Sequence, residues 1–270
     1  MPELSKDTTL CISLSGRPSN IGTRFHNFLY AELGIDFVYK AFTTTDIAAA
    51  IGGVRALGIR GCSVSMPFKE AVIPLVDRIE PSAAAIGSIN TIVNDDGVLT
   101  ASNTDYEAIA SLIESHRLEP AASVVVRGSG GMAKAVVAAF HGAGFTNITV
   151  VARNPEAGPA LADAYGARWV DRDSEPGARI LVNVTPIGMQ GPDADALAFS
   201  PAHIAAAETV FDVVAFPAET PLIRAARDAG KGVITGAEVI ALQAAGQFAR
   251  YTGVIPTADQ VQRASAHSRV

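Results

Sequence analysis

The stretch VVVRGSGGMAKAVV, residues 124–137, decides the fold class of this chain. A run of apolar, β-branched residues leads straight into Gly128, and helical apolar spacing starts beyond Met132. The loop from Gly128 to Ala133 fits the pattern G-x-G-x-x-G/A, in which the first glycine permits a tight turn. Gly130 would let a pyrophosphate approach the backbone amides at a helix N-terminus. The spacing therefore predicts a dinucleotide-binding loop, the alternative being a glycine turn that merely joins two elements.

Strands and helices alternate on both sides of this loop. From about residue 120, continuous apolar strands such as SVVVRG and NITVVAR alternate with helical runs over short connections. Strands of this kind are buried on both faces, which is typical of a doubly wound parallel sheet. Residues 9–117 alternate less strictly and contain a hairpin signal at Asp95-Asp96-Gly97. The pattern predicts an α/β protein: a mixed N-terminal lobe, mostly parallel with one antiparallel hairpin, and a Rossmann-type lobe, with hinges near residues 104–106 and 236–238.

The composition narrows the possible partners and location. The 270 residues are 49% apolar and 18% charged, the balance of a globular protein, and the net charge is −6. Because no Lys/Arg cluster offsets that charge, we expect no nucleic-acid partner. The start MPELSKDTTL lacks the basic end and apolar stretch of a signal peptide, and no apolar run reaches membrane-spanning length. We therefore expect no membrane partner and a cytoplasmic monomer or homodimer.

Cysteine and histidine usage indicates no metal or redox chemistry. Cys11 and Cys62 form no CxxC pair and stand in strand-like contexts, so both are predicted to be reduced core residues. The five histidines are scattered, with none at i,i+4 and no ligand-like cluster. The sequence therefore predicts no metal site.

The strand after the glycine loop ends in NITVVARN, which bears on the choice of dinucleotide. NAD-selective sites carry an acidic residue near this point to bind the ribose hydroxyls. Arg153 stands there instead, and a guanidinium favours the 2′-phosphate of NADP. NADP is thus favoured over NAD. The alternative is an exposed surface arginine, since no second cation follows in residues 154–157.

The segment SMPFKE, residues 65–70, contains the candidate reactive group. Ser65 is predicted to cap a helix with Pro67 in its first turn, which places Lys69 where the helix macrodipole disfavours a cation. A hydride-transfer enzyme acting on an alcohol must also move a proton. Lys69 is the candidate because a helix N-terminus and partial desolvation both disfavour its ammonium form. Asp105 in SNTDYEA, where the next helix begins, is its candidate partner; a solvated lysine and an ordinary N-cap are the alternatives.

Eight segments in chain order resemble motifs of the shikimate dehydrogenase family, over most of the chain. SMPFKE resembles V-T-x-P-F/H-K, GSINTIV resembles G-A-x-N-T, and SNTDYEAI resembles x-N-T-D-x-x-G. GSGGMAKA is similar to G-A-G-G-A-x-x-A, and VARN to the N-R-T segment. NVTPIGM matches N-x-T-x-x-G-M, FPAETPLIRAA matches P-x-x-T-P-L-L, and ALQAAGQFARYTG matches Q-x-x-x-x-F-x-x-W-T-G.

The resemblance implies an activity and a domain plan. The activity is NADP-linked interconversion of a cyclic 3-hydroxy acid and its ketone, a step of aromatic amino acid biosynthesis, with Lys69 as acid/base and Asp105 as its partner. A substrate lobe, residues 1–105 completed by C-terminal helices in 238–270, would form a cleft with an inserted NADP-binding lobe, residues 106–237. Ser65, Asn90 and Gln243 would bind the ring hydroxyls of the substrate. The cofactor side would be lined by Gly128, Ser129, Gly130, Gly131, Met132, Ala133, Arg153, Asn183, Thr185, Val213 and Gly236.

The departures from the family concern the substrate carboxylate. Family members begin G-N-P-x-x-H-S-x-S-P…H-N, where two serines grip that carboxylate, whereas this chain reads SGRPSNIGTRFHN. Counting back from His26, Asn20 and Gly22 replace the serines, with Thr23 adjacent, so Asn20 and Thr23 are the substrate-binding candidates here. The tyrosine of the family's D-x-x-Y motif is also replaced, because Ala215 stands at that position in FDVVAF. Such losses resemble a divergent shikimate dehydrogenase-like subgroup with poor activity on shikimate.

The sequence therefore favours an NADP-dependent dehydrogenase acting on a shikimate-like cyclic hydroxy acid. Arg17 could bind the carboxylate bidentately in place of the lost groups, or be a surface loop residue. Two other functions stay open. One is a dehydrogenase for quinate, aminoshikimate or an unrelated hydroxy acid, and the other is a non-catalytic NADP(H)-binding sensor.

Overall fold

The computed structural model describes residues 4–172 and 176–269, which form two compact units. The first comprises the described parts of Met1–Thr104 and Ala241–Val270, and the second comprises those of Asp105–Ile240. No helix in the described ranges is both long and apolar enough to cross a bilayer.

The first unit is built on a mixed six-stranded sheet. Its elements up to residue 102 are β1 (Thr9–Leu14), α1 (Ile21–Leu33), β2 (Phe37–Phe42), α2 (Ile47–Ala56), β3 (Gly61–Val64), β4 (Arg78–Ile79), α3 (Pro81–Ala84), β5 (Thr91–Asp95) and β6 (Val98–Ser102). The strand order is β2-β1-β3-β5-β6-β4. Pairing is antiparallel at β3–β5 and β5–β6 and parallel elsewhere. The hairpin β5–β6 turns at Asp96 and Gly97, which have the positive φ angles, 51° and 88°, of a type I′ turn. The predicted mixed lobe is confirmed.

The helix predicted after Ser65 is wrong. Residues 66–72 form turns, followed by a single 3₁₀ turn at Ile73–Leu75. The Phe68 N–H donates to the carbonyl of Ser65, and no regular i→i−4 ladder follows. Pro74 provides the physical reason, because it has no N–H to donate to the carbonyl of Glu70 and its ring clashes with that carbonyl in a continuous α-helix. Too few residues precede it to nucleate a helix. Ser65 is therefore not an N-cap, and the macrodipole argument does not apply to Lys69.

The second unit is an all-parallel doubly wound sheet, as predicted. Its elements are α4 (Thr104–Ser115), β7 (Val124–Arg127), α5 (Gly131–Gly142), β8 (Ile148–Val151), α6 (Ala157–Ala164), β9 (Arg168–Val170), β10 (Ile180–Asn183), α7 (Pro201–Ala206), β11 (Thr209–Asp212), α8 (Pro221–Asp228) and β12 (Gly232–Thr235). The strand order is β12-β11-β10-β7-β8-β9, and every pair is parallel. This is the order of a Rossmann sheet, whose ligands bind at the carboxyl ends of the strands where the order reverses, beside β7.

Two C-terminal helices, α9 (Gly236–Thr252) and α10 (Ala258–Ser268), end the chain. In the first unit, α10 packs against α1. The C-terminal part of α9 adds Phe248 and Tyr251 to an aromatic core that also contains Phe25 and Tyr39. One side of the first unit's sheet is thus covered by α1, from the start of the chain, and by α10 and the C-terminal part of α9, from its end.

His26 is fully buried in this aromatic core. Its ring stacks on that of Tyr39, with centroids 4.3 Å apart and planes 7° from parallel. Burial lowers the pKa of His26 from 6.5 to about 3, and the Gln247 side chain opposes this shift only in part. Cys11 and Cys62 are also buried and form no disulfide, as predicted, and burial raises the pKa of Cys11 to about 12.

We expect His26 to make the first unit acid-sensitive. Below pH 6.5 the unfolded chain binds a proton at this ring, whereas the folded chain does so only near pH 3. The stability due to neutral His26 is therefore complete above pH 6.5 and is lost as the pH falls toward 3, by roughly 5 kcal/mol at 1.4 kcal/mol per pKa unit. In His26→Phe, the fall in the free energy of unfolding over this range should be smaller by that amount, as measured by urea denaturation.

The exposed His141 provides the matched control. His141→Gln should keep the pH dependence of the parent protein. A His26→Phe variant that loses stability with acid as steeply as the parent would contradict the role given to His26.

Candidate functional site

The loop from Gly128 to Ala133 joins β7 to α5, as predicted. Gly128 has φ +125°, and a Cβ there would lie 2.8 Å from Cγ2 of Val184, so both backbone and space require glycine. A Cβ on Gly130 or Gly131 would meet nothing within 4 Å, so the backbone at the start of α5 faces open space. Ala133 is completely buried, which lets the helix pack closely on the sheet. These features suit a pyrophosphate at the helix N-terminus.

A cleft of about 960 Å³ opens beside this loop within the second unit. Its lining includes Gly128 and Ser129 from the loop and Thr185 from the segment after β10. It also contains three arginines, Arg127, Arg153 and Arg172. No cation follows Arg153 in residues 154–157, but Arg172 lines the same cleft. Arg172 follows β9, a short strand that the sequence pattern did not reveal. The cleft suits an anionic ligand.

The buried carboxylate of Asp212 holds together the segments after β10 and β11 in the second unit. Asn183 and Asp212 are register partners at the ends of β10 and β11. The carboxylate of Asp212 accepts from Nδ2 of Asn183 at 3.0 Å, from N of Val214 at 3.1 Å and from Oγ1 of Thr220 at 2.6 Å. Burial raises the pKa of Asp212, and these three donors oppose the shift. The motifs in these segments did not predict the hydrogen bonding of Asp212 and Thr220.

The other predicted cofactor-side residues lie on the same segments. Oδ1 of Asn183 accepts from N and Oγ1 of Thr185, at 3.0 and 2.6 Å. The N–H of Val213 donates to the carbonyl of Asn183 at 2.9 Å. A Cβ on Gly236 would lie 2.2 Å from the carbonyl oxygen of Val214, so only glycine permits this approach of α9 to the segment after β11. The structure thus brings Asn183, Thr185, Val213 and Gly236 together.

In the first unit, Asn90 is the most deeply buried of the predicted substrate residues. It is only 2% exposed, and its Oδ1 accepts from N of Thr104 at 2.8 Å and from Oγ1 of Thr91 at 2.7 Å. These bonds fix the orientation of the amide, whose Nδ2 is buried and makes no hydrogen bond to any residue that the structure describes. A buried donor without an acceptor costs about 1–3 kcal/mol. Nδ2 of Asn90 therefore suits a polar ligand atom.

Backbone hydrogen bonds tie the reactive segment to Asn90. The Ile89 N–H donates to the carbonyl of Lys69 at 2.9 Å, and the Val64 N–H donates to that of Asn90 at 2.8 Å. Ser65 and Lys69 are both half-buried. Asp105, which is 6% exposed, follows Thr104 directly in the first turn of α4, where its predicted helix start is confirmed.

The remaining substrate candidates lie on α1 and α9. Asn20 is exposed and its side chain makes no cap bond to α1, whereas Oγ1 of Thr23 is buried without a hydrogen-bond partner among the described residues. Gln243 is half-buried. Gln247, which the sequence reasoning missed, is buried and donates from Nε2 to the carbonyl of Asn90 at 3.2 Å and to Oγ1 of Thr91 at 3.1 Å. Its i+4 spacing from Gln243 was the available signal.

A doubly wound parallel unit with this loop and an arginine-lined cleft defines a dinucleotide-binding protein of the Rossmann class. The family described as the shikimate dehydrogenase substrate binding domain matches residues 20–92. The chain is 57% identical over 267 residues to a shikimate dehydrogenase-like protein of Haemophilus influenzae, covering 98% of each chain. It is 35% identical over 265 residues to the shikimate dehydrogenase (NADP(+)) of Moorella thermoacetica, covering 92% of this chain and 90% of the other. The chain therefore belongs to the shikimate dehydrogenase family.

Solved structures share the fold. A shikimate 5-dehydrogenase-like protein superposes with a TM-score of 0.97 at 56% identity, covering 99% of this chain and all of the other. The shikimate 5-dehydrogenase of Thermus thermophilus in complex with NADP(H) and shikimate gives a TM-score of 0.86 at 28% identity, covering 96% and 99%. The quinate dehydrogenase of Corynebacterium glutamicum in complex with NAD gives 0.87 at 27% identity, covering 96% and 98%.

Replacing the carboxylate of Asp212 tests whether its hydrogen bonds stabilise the second unit. In Asp212→Asn an amide N–H₂ replaces one acceptor oxygen and faces donors, so we expect a loss of about 1–3 kcal/mol in the free energy of unfolding. Because burial raises the pKa of Asp212, its contribution is complete below its ordinary value of 3.8 and is lost as the pH rises through the raised value. The stability deficit of the variant should therefore be largest at and below pH 3.8 and shrink as the pH rises toward neutral, as measured by urea denaturation.

The exposed Asp228 at the end of α8 provides the control. Asp228→Asn should show no comparable loss of stability. A deficit of Asp212→Asn that grows steadily with pH would contradict this account.

Proposed function

We propose that this chain is an NADP-dependent oxidoreductase that interconverts a shikimate-like cyclic hydroxy acid and its 3-keto form. The main support comes from the hydrogen bonding around Asn90. The buried amide of Asn90 offers a ligand an oriented donor, and the same hydrogen-bonded framework holds the backbone of Lys69 and Thr104, with Asp105 next in the chain. A polar substrate, a proton-transferring amine and a carboxylate are the parts that this chemistry needs.

The two units have separate roles. The substrate-binding part is residues 1–105 with 238–270, and the NADP-binding part is residues 106–237. The division into compact units at Thr104 and Ile240 supports boundaries in these regions. The match of the substrate binding domain family to residues 20–92 supports the first assignment, and the Rossmann strand order supports the second.

The residues present in the second unit fit NADP. The loop Gly128–Ala133 would hold the pyrophosphate at the start of α5, and Arg153 would bind the 2′-phosphate. Asn183, Thr185, Val213 and Gly236 would line the rest of the cofactor side. The open space over Gly130 and Gly131 and the arginine lining of the cleft support this fit. NAD is disfavoured because no carboxylate replaces Arg153 to bind the ribose hydroxyls.

NADP, when bound, supplies the hydride acceptor for alcohol oxidation and the hydride donor for the reverse reaction. In the oxidative direction Lys69 would take the hydroxyl proton of the substrate. Asp105 would be the partner of Lys69 in this step and would orient the hydroxyl. The half-burial of Lys69 limits its exchange with water, and this role does not depend on a helix N-terminus. Ser65, Asn90 and Gln243 bind the ring hydroxyls, the amide of Asn90 by donating.

Shikimate itself should be a poor substrate. Asn20, Thr23 and Arg17 are the candidates left to bind its carboxylate, and both Asn20 and Arg17 are exposed. Losing two charged hydrogen bonds, each worth about 1.5–3 kcal/mol, weakens binding by orders of magnitude unless other groups replace them. Quinate, aminoshikimate or another hydroxy acid is therefore the second candidate substrate. We expect the protein to act in the cytoplasm as a monomer or homodimer.

Lys69→Ala tests the proposed chemistry. Loss of the general base should lower kcat by about 10²–10⁴-fold on whichever hydroxy acid the parent oxidises, while the Kd for NADP stays unchanged. Steady-state rates with shikimate, quinate and 3-aminoshikimate, and calorimetric titration with NADP, measure the two effects. The exposed Lys40 on β2 provides the control, and Lys40→Ala should keep both values.

The outcomes separate the candidate functions. Near-normal turnover of Lys69→Ala would contradict its acid/base role. Tight NADPH binding by the parent, without oxidation of any hydroxy acid tested, would favour a non-catalytic NADP(H) sensor.

A further inference from the structure

We propose that Arg172 is a second ligand of the cofactor's 2′-phosphate and sets the preference of this chain for NADP over NAD. This inference rests on the proposed function and concerns the same cleft. It names a residue that lies outside the glycine loop and outside the segment that contains Arg153.

The sheet register places the two arginines at the same edge of the sheet, beyond neighbouring strands. β8 and β9 are parallel neighbours, with Val151 paired to Val170. Arg153 and Arg172 each lie two residues beyond this pair, at the carboxyl ends of strands about 4.8 Å apart. Both line the cleft that also contains Gly128. Two guanidinium groups can therefore reach one phosphate on the loop side of the sheet.

The end of β9 is held in place by Trp169. Its Nε1 donates to the carbonyl of Ala152 at 3.0 Å, which ties β9 to the segment just before Arg153. A Cβ on Gly158 would lie 2.3 Å from the same Nε1, so the indole packs directly against α6. The backbone positions of Arg153 and Arg172 are thus coupled through one side chain.

The balance of charges in the cleft favours a second cation for the 2′-phosphate. A phosphate monoester carries about −1.5 to −2 charges at pH 7, more than one guanidinium neutralises. The segment after Arg153 adds Glu156 rather than a cation, and Asp171 and Asp193 also line the cleft. Cζ of Arg127 lies 4.9 Å from the ring centroid of Phe199. Arg172 is the cation placed beside Arg153.

The present contact of Arg172 does not prevent this role. Its Nε lies 3.7 Å from Oδ2 of Asp171, and the two side chains are 89% and 63% exposed. Exposed pairs at such a distance contribute little. The guanidinium can therefore turn toward a bound phosphate, with which it can form a bidentate, charge-assisted contact.

Calorimetric titration with 2′,5′-ADP and 5′-AMP isolates the 2′-phosphate without requiring turnover. Arg172→Ala should weaken binding of 2′,5′-ADP by about tenfold and leave that of 5′-AMP within about twofold, because only the 2′-phosphate contact is lost. Arg172→Lys should restore part of the loss, since it keeps the charge without the bidentate geometry. The ratio of NAD to NADP dissociation constants should fall by the same factor, about tenfold.

Arg168→Ala is the matched control, because Arg168 lies on the same strand with its guanidinium against Oγ1 of Thr149. It should bind both nucleotides like the parent. Parent-like binding of 2′,5′-ADP by Arg172→Ala would overturn the inference, and so would an equal loss for both nucleotides, which indicates a contact to adenine or a change in fold. A parent protein that binds neither NADP nor 2′,5′-ADP would instead overturn the proposed function itself.

Discussion

Asn90, through its amide oxygen Oδ1 and its backbone carbonyl, holds together the part of the first unit on which the proposed chemistry depends. Oδ1 accepts from N and Oγ1 of Thr104 and from Oγ1 of Thr91. The Asn90 carbonyl accepts in turn from Val64 and from Gln247. The segments of Val64, Thr104 and Gln247 are thus joined to Asn90 through its side-chain oxygen and its backbone carbonyl, and this neutral residue avoids the desolvation cost of a buried charge. A further consequence is that Nδ2 cannot rotate away, so its donor direction is set before any ligand arrives.

The second unit uses a carboxylate for a comparable purpose. Asp212 fixes the segments after β10 and β11 through Asn183, Val214 and Thr220, but its burial favours the neutral acid. Three donors offset that tendency. The two networks therefore differ in their response to pH, because the Asn90 network contains no titrating group whereas the Asp212 network does. Acid sensitivity in the first unit arises instead from His26, which lies in the aromatic core.

The sequence predicted features that depend on local pattern. The glycine loop, the alternation of β7, α5 and β8, and the hairpin at Asp96 all follow from spacing and backbone geometry within a few residues. The helix after Ser65 was wrong because Pro74, five residues beyond Lys69, prevents it. Arg172 and Gln247 were missed since their roles depend on partners far along the chain. β9 has only three residues, and Gln247 contacts Asn90 across 157 positions.

The buried framework around Asn90 and the exposed segment at residues 17–23 differ in their tolerance of substitution. This difference would allow the reaction type to persist while the substrate changes. Lys69, Asn90 and Thr104 belong to one buried or half-buried backbone framework, so a substitution there disturbs several segments at once. The groups that would grip a carboxylate lie at residues 17–23, most of them exposed and outside that framework. Serine hydroxyls at those positions can be lost without unfolding the unit, since exposed side chains contribute little to stability. Substitutions in residues 17–23 would therefore alter what is bound while leaving the proposed proton-transfer framework in place.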